Sequence, residues 1–168
     1  MASLSLSACA VGRNHASDAT LERFFNEHQT EFEALLAEVQ ADSELKTLQP
    51  RVVIYAGRAV EVQDGDLSEI ERLGLARERW QHYQKKLRDL GLSGVMKGDG
   101  DIEFIVDSGS LLNGDSYKGY RYTSNATCHI RASLDSYRRS DHDKDKVGNW
   151  DVCKPLKRSW YLYLFVNR

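Results

Sequence analysis

Cys128 and His129 are the first residues to weigh for chemistry, because a thiol beside an imidazole is the pairing that activates a cysteine nucleophile. They are neighbours in Thr127-Cys128-His129-Ile130, which reads as a strand. Successive strand residues point to opposite faces, so these two cannot pair with each other. A histidine would have to arrive from elsewhere, with His142 the nearest candidate. Asp141-His142-Asp143-Lys144-Asp145 sets acids at alternate positions, as the calcium loop of an EF-hand begins. That loop also requires Gly sixth and Glu twelfth, where this chain has Lys146 and Val152. Lys144, Lys146, Arg138 and Arg139 partly neutralise the acids, so the stretch reads as a charged solvated loop. Asp99-Gly100-Asp101-Ile102-Glu103 reads as a turn entering a strand. His28 and His82 fall on helices at no metal-ligand spacing, and no metal or cofactor is expected. The chain contains no Gly-x-Ser-x-Gly elbow, His-Glu-x-x-His pair or phosphate-binding glycine loop.

The three cysteines carry a different message. Leu6-Ser7-Ala8-Cys9 matches the site at which bacterial lipoprotein precursors are cleaved and the new N-terminal cysteine is acylated. A secretory signal has a basic start and about 7–15 apolar residues before the cleavage site. Only Met1 to Ala8 precede Cys9, with serine at positions 3, 5 and 7. Two readings follow: a lipobox remnant whose signal has been removed, or a chance match in an ordinary N-terminus. The small polar residues 10–18 suit a tether between an anchor and a domain. If Cys9 is acylated, Cys128 and Cys153 are left as one possible disulfide. Without export, both are better read as buried apolar thiols.

Aromatic residues are generous, with eight Tyr and three Trp, of which Tyr117, Tyr120, Tyr122, Tyr137, Trp150, Trp160, Tyr161 and Tyr163 gather in the C-terminal half. One reading is sheet packing with hydroxyls at the edge. The functional reading is a binding surface for protein or glycan, centred on Tyr120 and Tyr122 with Arg121 and Arg131 beside them.

The elements that must position these residues can be read from periodicity. Leu21, Phe24, Phe25, Phe32, Leu35, Leu36 and Val39 form one apolar stripe on a helix over 19–41, capped by Asp18 or Thr20. Arg51-Val52-Val53-Ile54-Tyr55-Ala56 reads as a strand continuing through Val60-Glu61-Val62. Asp66 then caps a second helix, whose apolar face runs from Leu67 to Leu90 and which Gly91 stops. Strands follow at 102–106, 118–123, 127–130, 150–153 and 160–166, with a loop expected from Asp107 to Ser116. The segment 127–130 is expected to return antiparallel to 118–123. The last strand is apolar throughout and belongs inside the sheet, covered on both faces. Helices first and strands later indicate an α+β fold: two N-terminal helices on one face of a twisted antiparallel sheet of about four to six strands.

The composition sets bounds. At 168 residues, with 41% apolar and 29% charged, the chain suits a tether over 1–17 and one folded domain over 18–168. A net charge of −2 argues against a nucleic-acid partner held by phosphate neutralisation. No apolar run reaches the roughly 18–20 residues of a membrane span, so membrane contact is expected only through the anchor.

Several residues together resemble a family of small, functionally uncharacterised bacterial lipoproteins. These are the Phe25 and Phe32 spacing, Lys118-Gly119-Tyr120-Arg121-Tyr122, Ser133-Leu134-Asp135 and Trp160-Tyr161-Leu162-Tyr163. The resemblance covers most of the chain from Cys9 and implies an envelope location without a catalytic residue to carry over. The expected function is a lipid-anchored, periplasm-facing binding module, in its narrower form an immunity or inhibitor protein against an envelope-acting toxin. The alternative is a small periplasmic hydrolase whose scattered Asp, Glu and His residues converge only in the fold.

Overall fold

Ser17 opens the first helix, its Oγ accepting from the Thr20 amide at 3.2 Å, one of the donors that a helix start leaves unpaired. The computed structural model describes residues 15–63, 67–111, 114–135 and 150–166. Helix α1 spans Asp18–Glu27 and α2 spans Gln29–Ala41. Between them His28 leaves helical geometry, at φ −119° and ψ 21°. The single helix expected over 19–41 is therefore two. Its apolar stripe is still buried at Leu21, Phe25, Phe32, Leu35, Leu36 and Val39. Phe25 and Phe32 both reach the Tyr120 ring, at centroid separations of 5.6 and 4.7 Å.

The second expected helix is also two, α3 over Ser68–Arg72 and α4 over Arg77–Asp89. Gly74, at φ +89°, sits in the break, a conformation that favours glycine. Gly91, at φ +59°, ends α4 as expected. The Leu92 amide bonds back to the Leu87 carbonyl and the Gly91 amide to that of Arg88, which closes the helix end. The expected cap at Asp66 lies outside the described residues.

The sheet is larger than expected, with nine strands among the described residues rather than four to six. They are β1 (Leu45–Leu48), β2 (Val52–Tyr55), β3 (Arg58–Glu61), β4 (Gly94–Lys97), β5 (Asp101–Leu111), β6 (Gly114–Thr123), β7 (His129–Ile130), β8 (Trp150–Lys157) and β9 (Trp160–Val166). Their order across the sheet is β3-β2-β1-β4-β5-β6-β9-β8-β7. Short strands account for the excess, and a lengthened hairpin enlarges the sheet without adding a strand. The strands β1 to β3 are four residues each, too short for alternation to show. The expected loop from Asp107 to Ser116 is instead mostly strand, because the β5–β6 ladder continues past an irregularity at Val106 to Leu111↔Gly114. Strand β9 lies inside the sheet, with Leu162 and Tyr163 both fully buried on opposite faces.

The sheet is mixed, not wholly antiparallel. Strand β7 pairs parallel with β8 at the far edge instead of returning along β6. Cys128 and Cys153, with Cα atoms 5.8 Å apart and sulfurs at bonding distance, hold it there. The Arg131 amide adds a 2.8 Å bond to the Cys153 carbonyl. The chain leaving β6 thus crosses β9 and β8 on the face away from the helices, with Ala126 and Cys128 packed near Tyr163. It then rounds the sheet edge and returns on the helical side at Ser133–Asp135.

There it fastens the start of α1. The Asp135 carboxylate accepts from the Asp18 amide at 2.9 Å, placing negative charge at the helix N-terminus. The Asp18 carboxylate accepts from the Leu134 amide at 2.7 Å and from Ser133 Oγ at 3.1 Å. Lys118, only 2% exposed, places Nζ 2.8 Å from Asp18 and 2.7 Å from Asp135. The Lys118 and Ser133-Leu134-Asp135 pieces of the sequence pattern therefore meet in one buried stitch. Gly119 is set by a neighbouring strand, since a methyl group there would overlap the Phe104 carbonyl. Among the described residues, no helix is long and apolar enough to cross a membrane.

Candidate functional site

Alternation along β6 sends Tyr120 and Tyr122 to the helical face and Arg121 to the opposite one. Register then brings Arg121 opposite Glu103 of β5 and Tyr161 of β9. Arg121 is 4% exposed, and its guanidinium lies 4.8 Å over the Tyr163 ring. A buried cation requires partners, and here they are three carboxylates. Nε donates to Glu103 Oε1 at 3.1 Å, with a further short bond from Nη2 to the same oxygen. Nη1 donates to Asp151 Oδ2 at 2.6 Å, and Asp101 Oδ2 lies 3.6 Å from Nε.

The field in this cluster is uneven. Burial raises the Glu103 pKa above the ordinary carboxylate value, and Asp101 and Asp151 add to that rise while Arg121 opposes it. Burial acts to lower the Arg121 pKa, but Asp151 and Glu103 outweigh it and leave the guanidinium more firmly charged. Among the described residues, the Tyr163 hydroxyl meets no partner at hydrogen-bonding geometry. Burial, with the Glu103 carboxylate beside it, holds its pKa well above the usual phenol value.

Above Arg121 the surface opens into a groove of about 440 Å³. Asp99, Gly100 and Asp101 form one wall, from the turn between β4 and β5. Thr123, Ser124, Asn125 and Thr127 form the other, from the start of the crossing segment. A second cleft of about 380 Å³ shares Gly100, Asp101 and Ser124 and reaches Gln40, Lys97 and Tyr122. Lys97 is already engaged, donating to the Val39, Gln40 and Asp42 carbonyls at the end of α2. The groove presents carboxylates, hydroxyls and a side-chain amide around one neutralised cation. That chemistry binds polar or cationic groups by hydrogen bonds.

The residues proposed for a binding surface from sequence are distributed by this geometry. Arg121 is at the floor of the groove. Tyr122 is half-buried against Trp160 at 5.4 Å and borders the second cleft. Tyr120 is in the core, its hydroxyl donating to the Leu21 carbonyl at 2.9 Å, and burial raises its pKa beyond the usual phenol range. Arg131 is exposed at the sheet edge beside β7. Glu103 and Asp151 were not singled out by sequence. Their only signal was odd-even parity with Arg121, which requires the strand pairing to interpret. Cys9, His142 and the acids from Asp141 to Asp145 lie outside the described residues.

Two other arrangements have the look of reactive sites. Asp151 lies close to Cys128 and Cys153, but with the sulfurs joined they are not thiolate ligands. His15 places Nε2 2.9 Å from Ser116 Oγ and Nδ1 3.2 Å from Asp107 Oδ2, the order of an activated serine. Ser116 is only 4% exposed and lies within a strand paired on both sides, to Gly109 and Val166. Backbone amides committed to a ladder are not free to stabilise an oxyanion, so the contact is structural: it holds the N-terminal segment to the sheet. Burial lowers the His15 pKa, against the pull of Asp107, which favours the neutral ring there.

No family model, curated protein or solved structure matches this chain.

Proposed function

We propose that this protein is a lipid-anchored binding module of the bacterial cell envelope, acylated at Cys9 and facing the periplasm. The observation that carries the reading is the pairing of Cys128 with Cys153. It leaves Cys9 as the single unpaired thiol of three, the arithmetic expected when an exported chain is acylated at its first cysteine. The contact site is the groove over Arg121. Its open polar walls suit a protein surface better than an enclosed small molecule. A narrower form of the reading is an immunity or inhibitor lipoprotein that occludes an envelope-acting toxin.

The test begins with the precursor carrying an intact signal. Radiolabelled palmitate should enter the wild type and not Cys9→Ser, and the label should fractionate with membranes. Unlabelled protein in the soluble fraction would overturn the anchor. For the contact site, a secreted toxin encoded beside this gene should bind the wild type and lose at least tenfold in affinity to Asp101→Lys. Equal affinity would remove the groove from the reading.

A second reading, a hydrolase, is favoured by one observation only. Glu103 is a carboxyl of raised pKa between two other carboxylates, the environment from which general acids are made. Hydrolysis of an envelope substrate that disappears in Glu103→Gln would favour that reading over binding.

A further inference from the structure

We infer that the anchored domain stands with the His15 end of the β5–β6 ribbon towards the lipid surface and the Arg121 groove directed away from it. This rests on the reading of Cys9 as the lipidated residue. It follows from where the tether stops being a tether.

His15 bonds to Ser116 through Nε2 at 2.9 Å and places Nδ1 3.2 Å from Asp107, so it is held to both strands of the ribbon. Ala16 packs against the core, Ser17 caps α1, and both the amide and the carboxylate of Asp18 are tied into the Lys118–Asp135 stitch. The chain is therefore fixed to the domain from His15 onward. Only residues 10–14 separate His15 from Cys9. Six extended Cα–Cα steps reach at most about 20–22 Å. A longer tether would let the domain tumble, whereas this one is shorter than the sheet is tall.

The attachment point and the groove are set apart along the same strands. His15 contacts β5 at Asp107, just past the middle of that strand, and β6 at Ser116, two residues from the Leu111↔Gly114 end of the hairpin. The groove is at the Asp101↔Thr123 end. The six steps along β5 from Asp107 to Asp101 span about 20 Å. With the lipid pulling on the first end, the groove is carried towards the periplasm, where a partner can reach it.

Cys9 provides the experiment directly, since it is the only free thiol while Cys128 and Cys153 are joined. Coupling it to a maleimide phospholipid in nanodiscs doped with a gadolinium-chelating lipid broadens amide signals according to their distance from the bilayer. Amides of Asp107, Ser108 and Ser116 should broaden more than roughly tenfold above those of Asp101 and Ser124–Thr127, given the span along the strands. A 12-residue Gly-Ser insertion after Asn14 leaves every described contact in place and should even out the two ends. Equal broadening in the wild type, or stronger broadening at the groove, would overturn the orientation. The anchor is judged separately by palmitate incorporation into the precursor. Absent palmitate with an oriented nanodisc spectrum defeats the anchor reading, whereas palmitate with uniform broadening defeats the orientation.

Discussion

Lys118→Met tests the stitch at the start of α1. The substitution keeps the length and apolar stem of the side chain and removes one ammonium, from a site where Lys118 and Asp18 are 2% and 3% exposed. Breaking one partner of a buried ion pair costs about 3–5 kcal/mol, because the other charge is left uncompensated. Here the loss should fall near the lower bound. Asp18 retains the Leu134 amide and Ser133 hydroxyl, and Lys154 Nζ lies 3.8 Å away. At roughly 2–4 °C per kcal/mol for a chain of this size, about 3 kcal/mol lowers Tm by roughly 6–12 °C. Urea unfolding at neutral pH measures the loss directly.

The pH dependence gives a second handle on the same pair. Burial raises the Asp18 pKa, but Lys118 and the Leu134 amide outweigh it and hold the carboxyl below its ordinary 3.8. A depressed folded pKa contributes stability above 3.8 that is lost as pH falls through the folded value. The deficit of Lys118→Met should therefore shrink on acidification. The Asp18→Asn/Lys118→Met double variant should lose less than the sum of the single losses. A deficit below about 1 kcal/mol at neutral pH, or one that grows in acid, would refute the claim that this pair is buried and coupled.

The Cys128–Cys153 bond spans 25 residues, so chain entropy predicts that Cys128→Ser/Cys153→Ser loses about 3–4 kcal/mol in chemical denaturation. Protection of amides in β7 should fall first, since two residues of ladder alone hold that edge. Gly119→Ala forces a methyl against the Phe104 carbonyl and should cost about 1–3 kcal/mol or more, while Gly100→Ala, with open space around it, should cost far less. Glu103 should titrate above its ordinary 4.5 by carboxyl carbon-13 NMR. Because its folded pKa is raised, its contribution to stability is fully present below 4.5 and declines as pH rises through the folded value. Glu103→Gln should flatten that decline, and a midpoint at or below 4.5 would contradict the buried site described.

Long apolar periodicity was legible in the chain where short pairing was not. The buried stripe from Leu21 to Val39 and the stop at Gly91 could be placed without coordinates, because side-chain spacing and the conformational freedom of glycine are local properties. The breaks at His28 and Gly74 could not, since a stripe tolerates a kink that keeps its large residues on one side. Strands of four residues carry too few positions for a period, which hid β1 and merged β2 with β3 into one expected strand. The parallel placement of β7 was likewise invisible. Two residues have no pairing preference of their own, and a disulfide partner 25 residues away decides it.

The candidate site divides along the same line. Residue order alone determined that Arg121 points opposite to Tyr120 and Tyr122, because a strand alternates whatever surrounds it. Only the tertiary structure decided which face is the helical one, and therefore that Tyr120 is core and Arg121 is the floor of a groove. The partners of Arg121 come from positions 18 residues before it and 30 after it, on strands that neither local propensity nor composition could align. Charge density at Arg121 is set by those alignments. A sequence shows that a cation exists; register across the four strands β5, β6, β9 and β8 makes it buried, paired and placed below an acidic rim.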